Sequence, residues 1–146
     1  MSRSPRYVFD TNTLVSALLF EYSKPGYAFR RALRRGPMLL SASTLEELAE
    51  VLQREKFDRY VTTAEREAFL EAFVDRALFI EPTEEIRACR DAKDDKFLEL
   101  AVSGGAHCIV SGDNDLLSLH PFRDIAIMTV AEFLEATESE SVDEGA

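Results

Sequence analysis

Five short apolar runs punctuate this chain: YVF at 7–9, MLL at 38–40, LFI at 78–80, CIV at 108–110 and IAI at 125–127. None alternates apolar with polar residues, so each reads as a strand buried on both faces. The stretches between them are long enough to hold a helix. Strands joined by helices run parallel, because a parallel neighbour needs a crossover connection. The pattern therefore predicts an α/β domain of three layers, α/β/α, around one parallel sheet.

The intervening stretches carry helix start and stop signals. TNTLVSALLF at 11–20 reads as a buried helix, and a second helix near 25–35 ends at Gly36-Pro37. Ser43 and Glu46 have capping-box spacing ahead of LEELAEVLQR, and Thr62 with Glu65 and Thr129 with Glu132 repeat it. Asp94 to Ser103 has amphipathic spacing and is closed by Gly104-Gly105, and a short helix follows Asp113. With no internal repeat, residues 1–136 read as one domain, and the acidic segment 137–146 as a disordered tail. A chain of 146 residues can bury such a core without disulfides. Cys89 and Cys108 lack CxxC spacing, and the start MSRSPRYVFDTN lacks the apolar run of a secretory signal. Both features lead to an expectation of a cytoplasmic protein.

Acids fall where such a fold places its chemistry. Open α/β sheets bind ligands at the carboxyl ends of their strands. Asp10 ends the first strand, and Asp113 and Asp115 follow the fourth in Ser111-Gly112-Asp113-Asn114-Asp115. Glu46 and Glu47 open the helix after the second strand, and Asp94 and Asp95 open the helix before the fourth. Grouped carboxylates repel one another, and a hard cation compensates them. Oxygen ligands without His or Cys select magnesium or manganese over zinc. His107 and His120 lie outside these runs.

Each acid also has a structural reading. Asp10 suits a helix N-cap, Glu46 a capping box, Asp91, Asp94 and Asp95 a helix N-terminus, and Asp113 and Asp115 a turn. Glu47 has no such role. The net charge of −10 would repel a polyanion, but its location softens that objection. Without the five acids from Glu135 onward, the 27 acids fall to 22 against 17 bases, and Asp10, Glu47, Asp94, Asp113 and Asp115 account for the difference.

Phe9-Asp10-Thr11-Asn12, Glu47-Leu48 after Ser41, Arg90 to Leu98 (RDAKDDKFL) and Val110 to Leu117 (VSGDNDLL) together resemble the PIN domain. More narrowly, they resemble the branch of toxins from bacterial and archaeal toxin–antitoxin pairs. The similarity runs from about Tyr7 to Leu134, with the four blocks in order. It implies a five-stranded parallel sheet of order 3-2-1-4-5 and a magnesium- or manganese-dependent endoribonuclease acting on RNA. It also implies an antitoxin protein as partner and a possible homo-oligomer. Carried over block by block, the family's acids fall on Asp10, Glu47, Asp94 and Asp113, with Asp115 as a further one. Asp94 is chosen over Asp95 because the small residue Ala101 lies seven positions on. Asp10, Asp94, Asp113 and Asp115 are then expected as metal ligands. Thr11, Asn12 and Ser111 are expected to orient carboxylates or touch phosphate. Two departures are Ser111 for the usual Thr and Ala92 for a frequent Pro.

Arg30, Arg31, Arg34 and Arg35 fall on one side of a helix, where they could contact phosphate or form a solvated face. A haloacid-dehalogenase-like phosphatase would need an acid at Asn12 and a later Lys, and no Lys follows Lys96. A receiver-type phosphoacceptor lacks the same Lys. A PIN fold kept as a binding scaffold is the non-enzymatic alternative.

Overall fold

A computed structural model describes residues 4–138. The strands are β1 (Tyr7–Phe9), β2 (Leu39–Leu40), β3 (Leu78–Phe79), β4 (Cys108–Val110) and β5 (Ala126–Met128). The helices are α1 (Thr11–Leu19), α2 (Lys24–Arg35), α3 (Ala42–Leu52), α4 (Thr63–Arg76), α5 (Asp95–Gly104), α6 (Asn114–Leu117) and α7 (Val130–Ala136). Short 3-10 turns lie at Glu55–Phe57 and Ala92–Asp94.

All strand pairs are parallel, but the five strands do not form one continuous sheet. β1, β4 and β5 make a three-stranded sheet in the order β1-β4-β5, and β2 pairs with β3 in a second. The expected order 3-2-1-4-5 fails between β2 and β1, where a single parallel bridge joins Tyr7 to Met38. Extending that register would require the Ser41 N–H to reach the Phe9 carbonyl. Instead, Ser41 N–H donates to Thr44 Oγ1 at 3.0 Å. The start of α3 thus takes the donor that would have closed the sheet.

The same contact corrects the expected helix start. Ser41 is the N-cap of α3, in a reciprocal box with Thr44, and the Ser43–Glu46 pairing does not form. Thr62 with Glu65 and Thr129 with Glu132 do cap α4 and α7 as their spacing predicts. The fifth strand lies one residue later than its apolar run suggested.

Alternate residues of the central strands enter two cores, as a strand buried on both faces requires. Tyr7, Phe9, Cys108 and Val110 face the core built with α1, α2, α3 and Phe133 of α7. Val8, Ile109 and Ile127 face the other, built with Phe97, Leu98, Leu100 and Ala101 of α5. Gly104 lets α5 approach β2, since a Cβ there would lie 2.5 Å from Leu39 Cδ1. Gly105 then ends the helix in the left-handed region, at φ 65°.

The expected tail begins too early. Thr137 is buried, and its Oγ1 accepts from Arg31 Nη1 at 2.9 Å and donates to Phe133 O at 2.7 Å. The expectation of disorder for 139–146 lies outside the described residues.

Candidate active site

Parallel pairing of Phe9 with Val110 brings Asp10 and Ser111 off adjacent strands at one level. Asp10 N–H continues the ladder to Val110 O at 3.1 Å. Its side chain is 5% exposed, and both of its oxygens are engaged. Oδ1 accepts from Thr13 N–H at 2.9 Å, which caps α1, and Oδ2 accepts from Ser111 Oγ–H. Asp10 thus caps α1 through one oxygen and meets Ser111, off the neighbouring strand, through the other.

Ser111, fully buried, also accepts the Asp113 N–H at 2.9 Å. Asp113 caps α6 by accepting from Asp115 N–H at 3.0 Å. One hydroxyl thus sets the spacing between Asp10 and the loop that carries Asp113.

Glu47 enters from α3. Because that helix starts at Ala42, Glu47 lies in its second turn rather than its first. Thr11 Oγ1 donates to its Oε2, and Lys96 Nζ donates to its Oε1 at 2.7 Å. Both partners are on elements other than α3, so the carboxylate is fixed from two sides.

Asp94 enters from the 3-10 turn that leads into α5, and it makes no side-chain cap bond. Its carboxyl is pushed up to about 7 by burial, then by the hydrogen bond and charge of Asp113, with Asp91 and Glu47 adding to the effect. Asp94, Asp113 and Asp115 each offer an oxygen within 4.8 Å of the others. The neighbouring Asp95 faces away: its Oδ1 accepts from Ala88 and Cys89 N–H at 3.1 and 2.7 Å. Ala101 is fully buried in the core that includes Val8 and Ile109 of the sheet.

The result is one cleft of about 190 Å³ lined by Asp10, Thr11, Asn12, Glu47, Asp94 and Asp113, with Arg54 at its edge. Asp115 joins through Asp94 and Asp113. Neither histidine lines it. His120 Nδ1 accepts from Ile127 N–H at 2.9 Å, and His107 packs edge-on to Tyr7. The α2 arginines do not line the cleft either. Arg31 binds the end of α7, Arg35 Nε donates to Tyr7 Oη at 2.8 Å, and Arg30 donates to Glu21 O and lies over Tyr27. Arg34 is exposed.

Sequence reasoning missed Lys96 and Arg54. Each reads as an ordinary helix-surface cation, and only the approach of α3 to α5 brings them to the acids.

The donor set suits a hard divalent cation. Every candidate ligand is a carboxylate oxygen, which matches magnesium or manganese. The Asp94 carboxyl is raised first by burial and then by Asp113, so part of the shift reflects the neighbouring negative charge.

Comparison with known proteins agrees with this architecture. An uncharacterized protein, MJ1680, of Methanocaldococcus jannaschii is 31% identical over 116 residues, covering 78% of this chain and 74% of that one. Among solved structures, PAE2754 from Pyrobaculum aerophilum superposes with a TM-score of 0.60 at 19% identity, covering 93% of this chain and 91% of that one. VapBC2 from Rickettsia felis, bound to a DNA fragment from its promoter, gives 0.58 at 13% identity over 85% and 98%. FitAcB from Neisseria gonorrhoeae gives 0.55 at 18% identity over 86% and 98%. The PIN domain profile matches residues 6–115, which include Asp10, Glu47, Asp94, Asp113 and Asp115. The chain belongs to the PIN-domain family, whose members are generally nucleases.

Proposed function

We propose that this protein is a metal-dependent endoribonuclease that hydrolyses RNA phosphodiester bonds as the toxin of a toxin–antitoxin pair. One observation carries the nuclease reading: acids from four separate chain segments line a single cleft, and Asp94, Asp113 and Asp115 bring carboxylate oxygens within 4.8 Å of one another. A fold bears that repulsion where a cation and a phosphate are to be received.

Asp10, Asp94, Asp113 and Asp115 would hold magnesium or manganese. Such an ion supplies Lewis acidity toward a phosphoryl oxygen and makes water a stronger acid. The remaining roles belong to the chain. Ser111 and the Thr13 N–H fix the direction of the Asp10 carboxylate. Thr11 and Lys96 hold Glu47 at the wall of the cleft, where it can accept a proton from the attacking water. Asn12 lines the cleft and offers its amide to a phosphate oxygen.

The toxin role and an antitoxin partner are supported by the sequence blocks shared with that branch and by the likeness to VapBC2 and FitAcB. An antitoxin segment would cover the acidic rim. Self-association belongs to the same reading, and light scattering tests it.

The test is to incubate the purified protein with varied RNAs and manganese, and then map the cut sites. The expected result is discrete cleavage that falls at least about 100-fold with Asp10→Asn or Asp94→Asn. Equal cleavage by wild type and both variants would overturn the nuclease reading. Expression of the protein alone should slow growth and Asp10→Asn should relieve it; harmless expression of soluble protein would remove only the toxin role.

A further inference from the structure

The carboxylate cleft opens in two directions, and they differ in charge. Toward α2 it shares Asp10, Asn12 and Asp113 with a cavity of about 470 Å³ that continues past Ser16, Pro25 and Val130. Among the described residues, no Lys or Arg lines that cavity. Between α3 and α5 the cleft shares Glu47, Val51 and Arg54 with a groove of about 630 Å³ that also holds Lys93 and Lys96. Among the described residues, the three cations that line the cleft or its two extensions, Arg54, Lys93 and Lys96, are therefore all on the α3–α5 side.

Two of the three can exchange their present surroundings for a phosphate. Lys93 is exposed and forms no ion pair among the described residues. Arg54 reaches Glu50 at only 3.7 Å, with both side chains open to solvent. A pair of that kind contributes little and is readily replaced. Lys96 is committed to Glu47 at 2.7 Å and ties the groove to the cleft.

We infer that the α3–α5 groove is the track for the phosphate chain of single-stranded RNA, with Arg54 and Lys93 contacting phosphates beside the bond to be cut. This assignment rests on the ribonuclease reading and adds a direction to it. A polyanion entering an acidic cleft must be neutralised nearby, and among the described residues no Lys or Arg lines the cavity on the α2 side. The groove also carries Glu46, Glu47 and Glu50 alongside its three cations. That mixture suits point contacts with one phosphate chain better than the two chains of a duplex.

The test measures binding of a short fluorescent oligouridine over a range of salt, in the Asp10→Asn background with manganese present so that cleavage does not interfere. Adding Arg54→Ala and Lys93→Ala should weaken binding about tenfold or more. It should also flatten the slope of log affinity against log salt by about 1.4, roughly 0.7 for each phosphate left without its cation. Arg76→Ala, at the exposed end of α4, serves as the control and should change neither. Unchanged affinity and slope in the double variant, with its circular dichroism intact, would overturn the assignment. Equal binding of a poly-glutamate peptide, abolished in the same variant, would make the groove a dock for acidic protein and also overturn it. Cleavage by the otherwise wild-type protein is scored separately. If cleavage is absent while the salt slope still depends on Arg54 and Lys93, the ribonuclease reading fails and the RNA track stands.

Discussion

Asp94, ahead of α5, and Asp113, beyond β4, bring carboxylate oxygens within 4.8 Å of one another at the wall of one cleft. Asp94, pushed up to about 7 from an ordinary 3.8, binds its proton more tightly folded than unfolded. The stabilising effect of that proton is complete below about pH 4 and is lost as pH rises through about 7. With chelator present, the melting temperature of wild type relative to Asp94→Asn should therefore fall across that window. About 1 kcal/mol corresponds to roughly 3 °C in a domain of this size. Thermal melts of both proteins from acid to neutral pH check this, and a constant difference would refute it. On the proposed metal site, added manganese should restore stability at neutral pH, because a ligand held only by the folded state stabilises it.

If the cleft is the proposed ribonuclease site, Thr11 and Lys96 act on catalysis through Glu47. Thr11→Val and Lys96→Met each remove one of its two side-chain partners. Each should lower kcat about 10- to 100-fold. Thr11→Ser, which keeps the hydroxyl, should restore most of the activity, and failure of that rescue would argue against positioning.

Phe133 anchors α7 to the sheet, edge-on to Tyr7 and Phe9 at 5.4 and 5.9 Å between ring centres. It is 1% exposed, so Phe133→Ala should cost about 3–5 kcal/mol. Urea unfolding measures this. A cost below about 1 kcal/mol would mean that the surrounding core collapses to fill the space.

Neither thiol should react readily. Cys89 and Cys108 are both raised to about 12, Cys108 by burial and Cys89 by burial with the hydrogen bond and charge of Asp95. Under native conditions at mildly alkaline pH, alkylation should be far slower than for a free thiol, and denaturant should abolish the protection. Mass spectrometry of the alkylated protein distinguishes the two.

The legible parts of this molecule are those in which local and long-range forces agree. YVF and CIV are apolar without alternation, and they became β1 and β4, buried on both faces. The acids after those strands followed, since parallel pairing in register leaves Asp10 and Ser111 side by side. The misreadings arose where one pattern admits two outcomes. Ser43–Glu46 and Ser41–Thr44 have the same spacing, and the buried serine became the cap. The resulting diversion of a ladder donor divided the expected sheet, an effect that no residue pattern displays. Thr137 belongs to a polar, acidic stretch, but Arg31 of α2 holds it inside. Lys96 shows the same limit from the other direction, because its contact with Glu47 spans 49 positions in the chain.

The two oxygens of Asp10 serve different masters, and that shapes how the residue can be interrogated. Truncation to Ala would remove the cap of α1 along with the charge, at a cost of about 1 kcal/mol, so a fall in activity could reflect a frayed helix. Asn still offers an oxygen to the Thr13 N–H, and its amide can donate to the Ser111 hydroxyl, which turns to accept it. Asp10→Asn is accordingly the knockout that subtracts a negative charge while leaving the scaffold standing.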